Sequence, residues 1–197
     1  MKQSTGFTLV ELLVGIAVLS VLLSFAVPGF QSSISANKQV TTFNKTSGTL
    51  RYARSEAIKS SSPVSICGRA TDNSCGDDWS EGMLVFSDST NDGSPLTLDG
   101  LDVVIRSVVF SGSDLDLTAS AMLTNNATSP EATSVIRFDG RGRPNWLNGT
   151  IVLCDKRGAD YAKALIMTGS GIGRPAYSTN NSDGVVVDAR GIAVSCT

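Results

Sequence analysis

The sequence contains no histidine, so several common kinds of functional site lack their usual residue. Histidine is the most frequent general base, the usual partner of a nucleophilic serine or cysteine, and a frequent zinc ligand. The four cysteines include no Cys-x-x-Cys pair of the kind that binds zinc or exchanges disulfides. We therefore expect a protein that is not an enzyme, with no catalytic residues, no metal site and no cofactor.

Aromatic residues are also scarce, at 6% of the chain, whereas glycine occurs 19 times among many small polar residues. This composition favours short strands joined by turns. A length of 197 residues suits one globular domain with an appendage. The net charge of −2 divides into +3 for residues 137–197, from eight basic and five acidic groups, and −5 for the rest. This weak polarity falls far short of a nucleic-acid-binding composition.

The even number of cysteines predicts two structural disulfides among Cys67, Cys75, Cys154 and Cys196. Three connectivities are possible. A Cys67–Cys75 bridge would close a short loop and leave Cys154–Cys196 to anchor the end of the chain. Because such bridges form in oxidising compartments, we expect the cysteine-bearing part outside the cytoplasm.

The N-terminus combines a short polar segment with a long apolar one. Residues 1–6 carry one charge, on Lys2, and residues 7–27 are apolar apart from Thr8, Glu11, Ser20 and Ser24. At about 1.5 Å per residue, this run can cross a hydrocarbon core of about 30 Å. Lys2 favours a cytoplasmic N-terminus, which places the following chain across the membrane. The plausible processing point, after Gly6, precedes the apolar run, whereas a secretory signal is cut after it.

Glu11 is unusual because it lies inside this apolar segment. A charged side chain there costs roughly 2.5–3.5 kcal/mol on insertion scales unless it has a partner. One interpretation is that Glu11 reaches the lipid headgroups from the first turn. The other is that cleavage after Gly6 frees an amino group on Phe7, with which Glu11 pairs within or between subunits.

After Pro28 the chain becomes amphipathic, and we predict one helix over residues 7–60, with residues 61–197 forming a β-rich head. Helical spacing places four apolar residues on one side: Phe43, Leu50, Ala53 and Ala57. We expect Arg51, Arg54 and Lys59 to lie on solvated faces. Serines followed by Pro63 should end the helix.

Short apolar runs separated by turn residues predict an antiparallel β domain, and hence an α+β fold. The predicted strands cover residues 64–67, 83–86, 103–110, 135–138, 151–154, 164–167, 185–187 and 192–195. We expect loops at residues 71–78, 111–131 and 169–184, with room for part of another strand in the middle one.

The first residues resemble a known signal. Gly-Phe-Thr-Leu-x-Glu before an apolar run is similar to the class III signal of type IV pilins and type II secretion pseudopilins. The resemblance implies that prepilin peptidase cuts between Gly6 and Phe7 and methylates the new amino group of Phe7. It further implies that Glu11 guides docking into the fibre and that Pro28 bends the helix.

A second resemblance lies between the helix and the first strands. The Ala-Arg-Ser-Glu-Ala segment at residues 53–57, the Val-x-x-Cys strand at 64–67, and Trp79-x-x-Gly82 before Val85 and Phe86 resemble the GspH/FimT family. This implies the type IV pilin fold, in which a long N-terminal helix packs on an antiparallel sheet.

The same resemblance implies a minor pilin that helps initiate a type IV pilus in a tip complex, with roles in twitching motility, adhesion or DNA uptake. The alternatives are a type II secretion pseudopilin and a DNA-binding minor pilin for natural transformation. The implied partners are other minor and major pilins, prepilin peptidase and the assembly platform. Before assembly, the chain would span the bacterial inner membrane once, with a periplasmic head.

Two glycine-rich turns carry arginines that could hold phosphates. The Gly-Arg-Gly-Arg sequence contains Arg141 and Arg143, and Arg174 lies in a second turn. DNA-capturing relatives carry a C-terminal Gly-Arg-x-Arg motif, which makes these three arginines candidate DNA contacts. The alternative is ordinary solvated arginines or salt bridges between pilins.

Two acidic segments carry weaker signals. Residues 88–99 partly imitate a calcium loop, but a plain turn is the better interpretation because the final ligand is aspartate and no helices flank it. We interpret Asp77, Asp78 and Glu81 as a solvated loop rather than as a pair of catalytic carboxylates.

Overall fold

The computed structural model describes residues 7–70, 74–88, 102–110, 115–122, 131–146, 148–178 and 185–196. Contacts divide the chain into two units, Met1–Asn37 and Lys38–Thr197. This boundary lies within the helix. The reason is that helix residues from Lys38 onwards pack with the β-rich part.

One helix, α1, extends over Leu9–Ser60. In the first unit, the large apolar side chains from Phe7 to Phe30 that the structure describes are exposed. This segment contains an 18-residue window with a mean hydropathy of 2.5 and no buried residue. By length and composition, it can therefore cross a membrane.

The second half of α1 buries a stripe that changes character along its length. Leu50, Ala53 and Ala57 are buried, as helical spacing predicted, and Phe43 is partly buried. Nearer the N-terminus, the buried positions on the same side are polar: Gln39, Thr42, Thr46 and Thr49. The helix ends where Ser61 takes a φ of 52°, a left-handed conformation common just after helices.

In the residues that the structure describes, ten strands and one short 3-10 helix follow α1. The strands are β1 (Val64–Arg69), β2 (Cys75–Gly76), β3 (Gly82–Ser87), β4 (Val103–Val109), β5 (Leu115–Met122), β6 (Glu131–Ala132), β7 (Val135–Phe138), β8 (Asn148–Asp155), β9 (Lys163–Thr168) and β10 (Gly173–Pro175). The 3-10 helix, Ala159–Tyr161, lies between β8 and β9. Every pair among these described strands is antiparallel.

These strands form two sheets. In the first, the order is β2-β1-β3-β4, and β7 pairs with β1; in the second, it is β10-β9-β8-β5-β6. Side chains from both sheets and from α1 share one apolar cluster that includes Ala53, Ile66, Val85, Ile136 and Leu153. The predicted α+β class is confirmed, and the structure adds the division into two sheets.

The strand predictions fail where hydrophobicity is a poor guide. Strand β5 lies in segment 111–131, where we expected a loop with room for part of another strand; Leu115 and Leu117 at its start are buried. Strand β10 lies in the predicted loop 169–184. The strands predicted at 185–187 and 192–195 are represented by a single bridge between Val187 and Ala193.

Candidate functional site: an assembly helix and clamped arginine turns

The N-terminus of α1 is capped by the side chain of Thr8, which the apolar pattern did not reveal. The backbone nitrogen of Glu11 donates a 3.2 Å hydrogen bond to Oγ1 of Thr8, the residue before the helix. Thr-x-x-Glu is the sequence of a capping box, and a carboxylate is favoured near a helix N-terminus. Glu11 therefore lies in the first turn of an exposed apolar helix. Phe7 is 86% exposed, and Gly6 lies outside the described residues.

The remaining polar side chains of the apolar segment bond to their own helix. The hydroxyl of Ser20 donates to the carbonyl oxygen of Ile16 at 2.8 Å, and that of Ser24 donates to Val21 at 2.6 Å. Glu11 is thus the one charged side chain between residues 7 and 27. Pro28 lies inside α1, where its nitrogen has no hydrogen to donate to the preceding turn.

Arg54 joins the helix to two separate turns. Its Nε donates to the carbonyl oxygen of Gly142 at 2.9 Å, and its Nη2 donates to that of Ser170 at 3.2 Å. The first turn follows β7, and the second connects β9 to β10. The expectation that Arg54 lies on a solvated face was wrong, because this half-buried side chain binds carbonyls that are distant in sequence.

Glycines allow the two turns to approach each other. A Cβ atom added to Gly171 would lie 2.2 Å from the carbonyl oxygen of Gly142 and 2.8 Å from Nε of Arg54. Gly171 has a φ of 76° and Gly142 a φ of 75°, backbone angles that residues with a Cβ atom rarely adopt. A Cβ on Gly142 would also collide with Ile58, so this turn packs on the end of α1.

The three candidate DNA contacts lie in and beside these turns. Arg141 and Arg174 are exposed, and the described part of the chain provides no partner for either guanidinium. Arg143 is exposed too, but its Nη2 lies 3.0 Å from Oδ2 of Asp139 in an ion pair. Although burial raises the pKa of Asp139, hydrogen bonds from the backbone nitrogens of Arg143 and Arg141 outweigh it and lower the pKa.

A buried polar network fixes the other end of the packed helix segment. Nε2 of Gln39 donates to the carbonyl oxygen of Tyr161 at 2.7 Å, and its Oε1 accepts from Arg157. Arg157 forms a 2.6 Å ion pair with Asp155, whose side chain is 1% exposed. Burial raises the pKa of Asp155, but the side-chain hydrogen bond from Arg157 outweighs it, and the net pKa is lowered.

Two disulfides close the β-rich unit. Cys67 is bonded to Cys75 and Cys154 to Cys196, with Cα–Cα distances of 5.5 and 5.8 Å. These are the pairs that loop length favoured among the three connectivities. The first links β1 to β2, and the second fixes the end of the chain to β8.

The acidic segments do not form a metal site in the part of the chain that the structure describes. No group of three or more potential ligands occurs there. Asp88 is buried, accepts a 2.9 Å hydrogen bond from Ser65 and pairs with Arg137. The rest of the calcium-like segment, residues 89–99, lies outside the described residues. Asp77, Asp78 and Glu81 are exposed, in agreement with a solvated loop.

Comparisons with known proteins find two family models. The model described as "Type II transport protein GspH" matches residues 42–171, and the "Prokaryotic N-terminal methylation motif" matches residues 1–27. No curated protein matches the sequence.

Solved structures provide a match in fold. A crystal structure of the Pseudomonas aeruginosa PAO1 type IV minor pilin FimU is 18% identical, covers 73% of this chain and 92% of its own, and has a TM-score of 0.54. A second crystal form of FimU is 17% identical, covers 70% of this chain and 91% of its own, and has a TM-score of 0.49.

The exposed apolar helix, the methylation motif and the sheets packed on the second half of α1 together define a pilin-like subunit. Both the family and the fold are those of structural proteins rather than enzymes. The chain belongs to the GspH family, whose model spans well over half of it, and it has the fold of FimU.

Proposed function

We propose that this chain is a minor pilin that helps initiate a type IV pilus as part of a tip complex. The supporting observation is that the described large apolar side chains between Phe7 and Phe30 are exposed, and that Glu11 is the one charged residue between positions 7 and 27. In the monomer, lipid would cover this surface; in a fibre, neighbouring helices would replace the lipid. Prepilin peptidase would first cut between Gly6 and Phe7 and methylate Phe7.

The carboxylate of Glu11 would set the register of the incoming helix during this assembly. After cleavage, the amino group of Phe7 becomes the nearest cation available within the apolar layer. A charged carboxylate is costly in that layer, so pairing with the amino group of a neighbouring subunit would draw the incoming helix into register. Pro28 would allow the helix to adjust its path, because its ring removes one backbone hydrogen bond.

The experiment compares Glu11→Gln and Glu11→Leu in a host that makes these pili. Glutamine retains the shape of the side chain and can still form the capping box, but it has no charge. We expect both variants to be processed and folded while their amount in sheared pili falls at least about tenfold. Ser20→Ala is the matched control, since that hydroxyl bonds only to its own helix. Incorporation of Glu11→Gln at the wild-type level would refute the proposal.

Mass spectrometry of the mature chain under non-reducing conditions tests processing. We expect loss of residues 1–6, one methyl group on Phe7 and two disulfides. A chain that keeps residues 1–6 in a host with active prepilin peptidase would contradict the processing step.

The second candidate is a pseudopilin of a type II secretion system, which the GspH match favours. The two functions require nearly the same molecule, because both use the helix for assembly and the head for contacts. Deletion of the gene separates them. Loss of twitching with normal secretion supports the pilus, whereas loss of secretion with normal twitching supports the pseudopilin.

A third candidate is DNA capture by the exposed arginines. Arg141 and Arg174 are available for phosphates, whereas Arg143 would first have to leave Asp139. Duplex binding by the full-length chain should then weaken with rising salt and fall when all three are changed to alanine. Absence of binding by the parent chain, or binding unchanged in the triple variant, would remove this function.

A further inference from the structure

Strand β4 forms one edge of the first sheet, because β3 is its sole partner among the described strands. Val103, Val104 and Val109 are 63%, 43% and 52% exposed, whereas Ile105 and Val108 pack against the core. The strand contains no proline, and its β-branched residues favour pairing with a further strand. An exposed strand edge of this kind carries backbone donors and acceptors by which a sheet can be extended.

The hydrogen bonds at the end of β4 show which backbone groups lie along this edge. The backbone nitrogen of Phe110 donates to the carbonyl oxygen of Glu81 at 3.2 Å, so the backbone of Phe110 faces the β3 side. Facing residues alternate along an antiparallel pair, so the N–H and C=O groups of Ser107 and Val109 point away from β3. The carbonyl oxygen of Val109 accordingly accepts a 3.2 Å hydrogen bond from Nζ of Lys45 on α1. The backbone of Ser107 is therefore oriented to bond an added strand.

A groove of about 440 Å³ lies between α1 and this strand. Arg106 and Val108 line the strand side, and the helix side is polar, formed by Thr41, Asn44, Lys45, Gly48 and Thr49. A Cβ atom added to Gly48 would meet no atom within 4 Å, so the groove is open at that position. Neighbouring strands place facing residues on the same side of a sheet. Side chains of an added strand that lie beside Arg106 and Val108 would therefore enter this groove.

The charges in the groove indicate which side chain it would accept. Lys45 and Arg106 are exposed, and the described residues that line the groove include no acidic one. Cζ of Arg106 lies 5.0 Å from the centre of the Tyr52 ring, which holds the guanidinium beside the helix. A carboxylate would complement these two cations. A nucleic acid is a poorer match, because the carbonyl groups along the strand edge would repel its phosphates.

We propose that an extended, acid-bearing segment of a different pilin-like subunit adds to the free edge of β4 as a further strand. Its backbone would bond Ser107, and a carboxylate on its helix-facing side would pair with Lys45 and Arg106. Strand addition obtains affinity from backbone hydrogen bonds and specificity from alternate side chains. A second copy of this chain is a poorer match, because pairing of its own β4 here would bring the same cations together. The choice of a pilin-like partner rests on the proposed function.

Photocrosslinking of the full-length chain tests the strand addition. In a host that makes these pili, p-benzoylphenylalanine replaces Val104, and the irradiated cells are extracted in detergent. We expect an adduct with a different pilin-like subunit that maps to a segment containing aspartate or glutamate. Ser107→Pro removes the N–H that would bond the added strand, so the adduct yield should fall at least about fivefold. Proline is tolerated where the N–H points away from the sheet, so the melting temperature should fall by no more than about 3 °C.

Ser107→Ala is the matched control, because it keeps the N–H, and its adduct yield should stay within about twofold of the parent. Replacing both Lys45 and Arg106 by glutamine should also lower the yield at least about fivefold. Arg51→Gln removes a charge from an exposed position of the same helix outside the groove and should leave the yield unchanged. If Ser107→Pro melts at a much lower temperature than Ser107→Ala, the comparison of these charge variants decides.

The proposal is overturned by the absence of an adduct between chains, by an adduct with a second copy only, or by an adduct within a single chain only. It is equally overturned if the mapped segment contains no acidic residue, or if Ser107→Pro folds normally and crosslinks as well as Ser107→Ala. An adduct with a subunit of a secretion system would contradict the proposed function and leave the strand addition intact. Normal entry into pili without the adduct would do the reverse.

Discussion

Replacing Arg54 by methionine should loosen the two turns that this side chain joins. Methionine retains an unbranched apolar stem but cannot donate hydrogen bonds. Each bond from a charged group contributes about 1.5–3 kcal/mol to folding when it is sheltered. The bond to Gly142 is partly buried, whereas that to Ser170 is exposed and counts for less. We expect the free energy of unfolding to fall by about 2–3 kcal/mol.

Two measurements on the full-length chain in detergent check this magnitude. For a unit of the size of Lys38–Thr197, it corresponds to a fall in melting temperature of about 5–10 °C. Hydrogen exchange should also become roughly thirtyfold faster at the amides of Gly142 and Gly171, whose bonds close the two turns. The increase should be local to these turns if the clamp acts as described.

Arg51→Met is the matched control, because Arg51 lies on the same helix, is exposed and loses the same charge. It should change stability by no more than about 0.5 kcal/mol. If Arg54→Met melts and exchanges like this control, the two hydrogen bonds do not hold the turns, and the clamp is refuted.

Three further predictions concern the β-rich unit. Replacing Cys154 and Cys196 by serine should lower the free energy of unfolding, measured with denaturant, by about 4 kcal/mol, and replacing Cys67 and Cys75 should lower it by about 2.5 kcal/mol. The difference is expected because the two disulfides span 42 and 8 residues; equal losses would contradict the chain-entropy account. The pKa of Asp155 is lower in the folded chain, so its contribution to stability is present above about pH 4 and disappears as the pH falls further. Asp155→Asn should therefore be less stable than the wild type at pH 7 and should lose less stability on acidification. If the free energy of unfolding of the variant fell with pH as steeply as that of the wild type, this reasoning would be wrong. Gly171→Ala should lower the free energy of unfolding by about 2–4 kcal/mol, because a left-handed φ combines with a 2.2 Å approach to a facing carbonyl. Gly191→Ala, at a similar turn with φ 82° and nothing within 4 Å of the added Cβ, should cost only about 1 kcal/mol; similar losses would exclude the close approach as the cause.

Local chemistry along the chain was enough to predict the class of protein. The apolar segment with Glu11 near its start can be identified from the sequence alone, because the ability to span a membrane depends on the length and hydropathy of a segment. The stripe of Leu50, Ala53 and Ala57 likewise follows from the helical repeat, and all three are buried. Strands such as β1 and β3 were found because they are apolar on both faces, with five buried residues out of six.

Tertiary structure alone decided which polar residues lie inside. Gln39 and Arg54 look like surface positions of a helix, yet each binds backbone carbonyls more than 80 residues away. Strand β5 is likewise too polar to be recognised from its own sequence and exists because β8 pairs along its whole length. Sequence periodicity predicts which face of a helix or strand is buried. The partners of buried hydrogen-bonding groups depend instead on how segments distant in sequence pack together.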